Sequence, residues 1–381
     1  MALSCTDLVD TWLRAQGLPY LVPRERRAHD LLQRAAPATV LLFGVLVLGV
    51  LGGPSLAAAV DRAGDPLGAA SGSLVLVVLA VAIVVPVVVA AWVHRRMREW
   101  SDPRGRSVAL GLAVAYAVCA AVLALLTDEG LALVIAEAVG LLLVAHLAVW
   151  SGLASVVAWA ARWAWQSVGA LQNMASRALP VILVLVVFAF FSTEAWQIAD
   201  SMGSRRQWAL TALIALIAIL AMLPVARGEL STAHRDLTPD QVHALLVGTP
   251  LEDAPTGTVS GQELAGGGRL NVLAVLIVAH LIQAAMFTLV IATLLVAIGR
   301  IAITDAVVRT WLSHPREPYQ LLGQALPVDQ QTVRTALLLG VIGALSFVLS
   351  SLSDASYRSL FFDPLVERVK VAVAAHRALA G

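Results

Sequence analysis

The chain has 381 residues, of which 59% are hydrophobic and 13% charged, and its mean hydropathy is +0.83. Soluble domains carry about 25% charged residues, so there is too little charge here to coat a globule of this size. The net charge of +1 excludes a nucleic-acid-binding surface, and 26 basic residues that are all arginine except Lys370 reflect coding bias rather than guanidinium chemistry.

Taken in chain order, residues 1–36 read as a cytoplasmic amphipathic segment. Leu8, Val9, Trp12 and Leu13 share one helical face, Gly17-Leu18-Pro19-Tyr20 ends the helix, and Pro23-Arg24-Glu25-Arg26-Arg27 leads into the membrane. Residues 37–226 hold six apolar runs of about 20 residues, the length that crosses a hydrocarbon core of about 30 Å. They are predicted at 37–57, 72–93, 107–126, 131–150, 179–199 and 207–226. Pro86 kinks the second, and the short Thr127–Gly130 connection makes the third and fourth an antiparallel hairpin. Between the fourth and fifth, residues 151–178 crowd Trp159, Trp163 and Trp165 around Arg162, with Gln166, Gln172 and Asn173 following. This stretch fits an interfacial helix on the inner leaflet, or a cytoplasmic extension of the fourth span.

The loop 227–269 starts a short helix at Thr238-Pro239-Asp240 and stops it at Gly248-Thr249-Pro250. The remainder, through Gly266-Gly267-Gly268, reads as linker. Two further spans are expected at 270–299 and 333–352 within residues 270–352. The tail 353–381 is a cytoplasmic amphipathic helix whose Phe361, Leu365, Val369 and Val373 recur every four residues. That stripe is expected to dock on the inner leaflet or on the bundle, with Arg358, Arg368, Lys370 and Arg377 meeting anionic headgroups.

The fold expected is therefore an all-α transmembrane bundle of about eight spans. Placing both termini in the cytoplasm puts nineteen of the 26 basic residues inside and seven outside, a clear positive-inside asymmetry. Residues 300–334 are its weak point, because four of the seven outer charges cluster there. Trp92, Trp100 and Trp150 fall at inner ends, and Trp196 and Trp208 at outer ends, where indole rings favour the headgroup level.

The chain contains no phosphate-binding loop, G-x-S-x-G elbow or H-E-x-x-H pair. Cys5 and Cys119 make neither a disulfide framework nor a zinc site. His234 and His243, with Asp236 and Asp240 between them, are read as a solvated loop, and no cofactor is expected. The informative residues are polar groups at membrane depth. Glu137 lies in the fourth span, and His280 and Gln283 share a face of the seventh. Estimated depths bring Glu137 and His280 together as a polar centre, either a buried structural pair or a transport site. Glu194 is expected to form an outer ion pair with Arg205 and Arg206, and Ser346, Ser350 and Ser353 form a hydroxyl stripe.

Several stretches together resemble one group of proteins: Gly17-Leu18-Pro19-Tyr20, Thr193-Glu194-Ala195-Trp196-Gln197, Arg269-Leu-Asn-Val-Leu, Trp311, Ser353-Asp354-Ala355-Ser356-Tyr357-Arg358 and Phe361-Phe362. They are similar to an uncharacterised family of actinobacterial multi-pass integral membrane proteins. The resemblance implies a bacterial cytoplasmic membrane and no particular reaction. Two function classes follow: a transporter or channel with its polar centre on the fourth and seventh spans, or a membrane scaffold or interaction protein acting through its cytoplasmic segments. Expected partners are membrane lipids and a protein at the cytoplasmic face, not nucleic acid.

Overall fold

The computed structural model describes residues 5–27, 30–51, 84–97, 100, 102–126, 131–166, 179–254, 264, 266–321 and 324–380. The fold is an all-α polytopic bundle with one short two-stranded hairpin. Among the described residues, four helices are long and apolar enough to cross a bilayer: Pro103–Leu125, Ser204–Asp236, Gly266–Ala302 and Gln330–Ser353. Two broken pairs, Val134–Trp150 with Leu153–Ala164 and Leu183–Phe190 with Thr193–Ser201, bring the number to six if each pair is one span. The expected spans 37–57 and 72–93 lie partly outside the described residues.

The chain begins with α1 (Cys5–Ala15), followed by the reversal at Gly17, whose φ of +75° suits glycine, and a 3-10 turn Pro19–Leu21. Helices α2 (Leu31–Leu51), α3 (84–97), α4 (Asp102–Leu126) and α5 (Leu131–Trp150) then form one compact unit, spanning Arg24–Leu153 with Pro318–Pro327. Small side chains let these helices approach: Ala36, Val40, Ala90, Val93 and Ala109 are buried at one level, and Tyr116, Ala120 and Ala138 at another. Their outer faces present Val114, Val118 and Val122 on α4 and Leu143, Val144 and Leu147 on α5, the apolar surface that lipid requires.

The second unit comprises Met1–Pro23, Ala154–Glu317 and Val328–Gly381. After α6 (Leu153–Gln166) come α7 (Leu179–Phe190), α8 (Thr193–Ser201), α9 (Ser204–Asp236), α10 (Pro239–Leu246), α11 (Gly266–Ala302) and α12 (Asp305–Leu312). The hairpin β1 (Pro318–Leu321) and β2 (Gln324–Asp329) leads to α13 (Gln330–Ser353). A π-helical turn Arg358–Phe362 then joins α13 to α14 (Asp363–Ala380).

Helices α11 and α13 form the spine of this unit. The buried line Val272, Leu276, His280, Gln283, Phe287, Ile291, Leu295 and Gly299 on α11 keeps the three-to-four spacing of one helical face. It meets Ala336, Gly340, Gly343, Phe347 and Ser351 on α13. A side chain at Gly340 would come within 2.9 Å of the Thr288 carbonyl, and one at Gly299 within 2.8 Å of Thr332 Cγ2, so the helices touch where glycine permits it.

Two helices overrun a bilayer. The 33 residues of α9 reach about 50 Å and the 37 of α11 about 55 Å, against a core of about 30 Å. Around the end of α9 and the start of α11, four helices from distant parts of the chain build a collar. Leu13 and Leu18 from the N-terminal segment, Val156 and Trp159 of α6, Val242 and Leu246 of α10, and Leu365, Val369 and Val373 of α14 join Leu230 and Leu276 in one buried cluster. The tail thus docks on the bundle. Arg377 fixes it there by donating to the His234 and Leu237 carbonyls at 2.5 and 2.6 Å, which helix α9 leaves open at its end.

Several expectations change. The fifth span is not one helix: α7 ends at Phe190, Ser192 caps α8 by accepting from the Ala195 amide at 3.3 Å, and the two helices meet at 76°. Trp196 is consequently not an interfacial ring but fully buried, its Nε1 donating to the Phe190 carbonyl at 2.7 Å. Trp208 is 72% exposed. Trp159 is likewise a core residue, stacked on Trp163 at 6.3 Å, and α6 packs into the collar. Gln172 and Asn173 lie outside the described residues. Gly266-Gly267-Gly268 is the first turn of α11, not linker; a side chain at Gly268 would come within 2.8 Å of Leu264, and one at Gly267 within 3.3 Å of Tyr20. The short helix of the 227–269 loop forms where its sequence places it. Thr238 and Gln241 exchange a capping box at its start, and Gly248, at φ +74°, follows its end.

Candidate functional site

The polar centre of the second unit is built on α11. His280 faces α13 because it continues the buried line of α11, and Gln283 lies one turn further on the same face. The imidazole is fully buried. Its Nδ1 stands 2.8 Å from Gln283 Oε1, and its Nε2 stands 2.6 Å from Ser351 Oγ on α13. Phe347 stacks on the ring at 5.7 Å, and Phe362 meets it edge-on at 6.1 Å.

Proton accounting limits what this network can be. Ser351 Oγ also lies 2.6 Å from the Val348 carbonyl, an acceptor, so the single hydroxyl proton goes there or to the imidazole. If it goes to Val348, the ring must donate from Nε2. A neutral ring then has no proton at Nδ1, and the Gln283 amide must turn its nitrogen toward it. Turning the amide in this way satisfies every contact with a neutral imidazole. In the orientation described, the Gln283 nitrogen has no hydrogen-bond partner among the described residues.

The order serine, imidazole, amide has the distances of a nucleophile, its base and an orienting group. Two features separate it from an acyl-transfer centre. Ser351 is fully buried, and its hydroxyl is shared with a carbonyl of its own helix. An amide also lacks the negative charge with which a carboxylate stabilises an imidazolium. The arrangement ties α11 to α13 through their cores.

Of the residues singled out from the sequence, His280 and Gln283 come together. Glu137 belongs to the other unit, on an exposed position of α5, and both nitrogens of His280 are engaged within their own unit. Ser346 and Ser353 bond their own i−4 carbonyls at 3.3 and 2.9 Å on the exposed side of α13, so the serine facing His280 is Ser351. Its signal was the spacing Gly340, Gly343, Phe347, Ser351, which marks the buried face of α13. Glu194 forms no ion pair with Arg205 or Arg206 among the described residues: all three side chains are exposed, and Glu194 occupies the first turn of α8, where the helix N-terminus itself favours a carboxylate.

Ion pairs at that end use other acids. Arg316 is held between Asp305, at 2.9 Å, and Asp329, at 2.7 Å, and it also donates to the Ile303 carbonyl. The cluster of basic charges in residues 300–334 is thus partly neutralised within the protein. Asp329 meanwhile caps α13 by accepting from the Thr332 amide at 2.7 Å.

Stretches far apart in the sequence are brought into contact by the fold. Asn271 on α11 accepts from the Tyr20 amide and donates to the Gly17 carbonyl, both at 3.1 Å, clamping the N-terminal reversal onto the collar. Arg358 pairs with Glu229 of α9 and with Asp363, and it lies over the Phe362 ring. Across the π-turn, Phe361 enters the cluster around Phe287 and Phe347, and Phe362 the collar. Arg358 and Arg377 are therefore committed to protein groups and Lys370 to Glu367, while Arg368 stays exposed. Beside Arg368, a shallow cleft lined by Gln16, Leu18, Trp159, Val275 and Leu365 has room for about one water molecule.

No family model, curated protein or solved structure matches this chain.

Proposed function

We propose that this chain is a membrane-embedded interaction or scaffold protein of a bacterial cytoplasmic membrane, acting through its collar. One observation carries the reading: α1, α6, α10 and α14 converge on the overrunning ends of α9 and α11 and share one buried cluster. A body built outside the hydrocarbon from four distant segments provides the rigid surface that recognition of a partner favours. The excess of arginine on the N-terminal side of the predicted spans supports a cytoplasmic collar. Its exposed groups include Asp240, Glu252, Asp253 and Arg368, a mixed polar surface suited to a protein partner.

Photo-crosslinking in native membranes tests this. A photoreactive residue at Asp240 or Arg368 should give a discrete protein adduct, and the same residue at Leu220, on the apolar outer face of α9, should give none. Absence of any adduct from the collar positions would refute the proposal.

A second reading is proton-coupled transport centred on His280 and Gln283. In the orientation described, the Gln283 nitrogen lacks a partner among the described residues unless the amide turns toward His280, and this favours the reading, since a polar group at membrane depth is costly unless something engages it. Proteoliposomes loaded with a pH-sensitive dye should then show a proton flux that His280→Gln abolishes. Equal signals from wild type and variant would dismiss it.

A further inference from the structure

The end of the second unit opposite the collar is closed by α8 and α12. Trp196 meets Trp311 edge-on at 5.7 Å, and Gln197 donates to the Trp311 carbonyl at 3.0 Å. Immediately after α12, Ser313 adopts a left-handed φ of +64°, and the chain turns so that His314 returns over α8. There its Nε2 lies 2.9 Å from Asp200 Oδ2, and its Nδ1 lies 2.9 Å from the Pro315 carbonyl.

Both partners of this ring are acceptors. A neutral imidazole has one N–H and can satisfy only one of them; the imidazolium donates to both. The geometry therefore selects the protonated ring. Among the surrounding charges, Asp200 on α8 and Glu317 in the connection favour that form. Arg316 is occupied by Asp305 of α12 and by Asp329 at the start of α13, so it does not stand as a free cation beside the ring. Glu194 of α8 and Arg309 of α12 are exposed, and Arg334 of α13 is half-buried.

We propose that His314 is a proton-operated clasp: protonated, it holds the segment after α12 onto α8, and on losing a proton it gives up one of its two bonds and the segment loosens. The hydrogen bond that the ring donates to Asp200, followed by the one it donates to the Pro315 carbonyl, raises the histidine pKa above its ordinary value. A raised value in the folded state means that the clasp contributes fully below the unfolded pKa of about 6.5 and that its contribution is lost as pH rises through the folded value.

Hydrogen exchange of the purified full-length protein in detergent, corrected for the intrinsic pH dependence of exchange, reads this directly. Between pH 5.5 and 8.5, protection of peptides covering residues 305–317 should fall about two- to fivefold relative to peptides of α11, as expected for a partly exposed charged pair. Asp200→Asn and His314→Gln should each show the low value throughout, with α11 protection retained. Should either variant fail to fold, the wild-type series, referenced to α11, decides alone. Constant protection of 305–317 in wild type, or an unchanged pH profile in a folded Asp200→Asn variant, would overturn the clasp.

Discussion

At His280, stability depends on partners rather than on burial alone. Removing the Ser351 hydroxyl leaves one imidazole nitrogen buried without a partner, and Ser351→Ala should cost about 1–3 kcal/mol in unfolding experiments in detergent. Replacing His280 and Ser351 together should cost less than the sum of the single changes, because the second removal orphans nothing further. A different mechanism acts eleven residues earlier on the same helix. Gly340→Ala forces a methyl group toward the Thr288 carbonyl, which cannot rotate away, and overpacking of this kind costs about 1–3 kcal/mol. Sequence alone placed His280 and Gln283 on one face because helical spacing fixes that. It missed Ser351 because Ser346, Ser350 and Ser353 offered an equally regular stripe, and only the glycines opposite α11 decide which stripe is buried.

Single elements were legible where local chemistry determines them. Thr238 with Gln241 and the reversal at Gly17 each specify their own conformation, and each forms; of the tail's stripe, Leu365, Val369 and Val373 join the collar, while Phe361, in the π-turn, joins the other cluster. Trp159 and Trp196 were misplaced for one reason: an indole in an apolar sequence suits a headgroup belt and a protein core equally well, and only the neighbours assembled by the fold distinguish them. Docking of α14 is open to direct test. Leu365 is buried in the collar, so Leu365→Asp would bury an unpaired charge; the tail beyond Phe362 should become protease-sensitive while wild type stays protected. Asn271→Leu should release the other end. With the Tyr20 amide and Gly17 carbonyl unpaired, residues before Pro23 should exchange backbone protons faster, and stability should fall by about 1–3 kcal/mol.

For the molecule as a whole, composition sufficed for an all-α membrane bundle but not for the number of crossings, because α7 and α8 share one apolar run and are separated only by the cap at Ser192. The collar was not foreseeable as a unit, since its helices come from four separate stretches and none announces the others. Its side of the membrane rests on the arginine asymmetry and is checked by labelling. On a background without Cys5 and Cys119, a cysteine replacing the exposed Asp253 should resist an impermeant thiol reagent in intact cells and react in inside-out vesicles. The overrunning lengths of α9 and α11 bear on how the protein sits in bilayers of different thickness. A helix matched to the hydrocarbon responds to a thicker membrane by sliding or straightening. Here Ala226, Leu230 and Ala233 near the end of α9 are locked among the collar's side chains and cannot be drawn into lipid without unpacking it. With the collar outside the hydrocarbon, as proposed, it would act as a depth stop: that boundary of the second unit would stay in register with one leaflet, and any mismatch would be taken up at the far end, around α8 and α12.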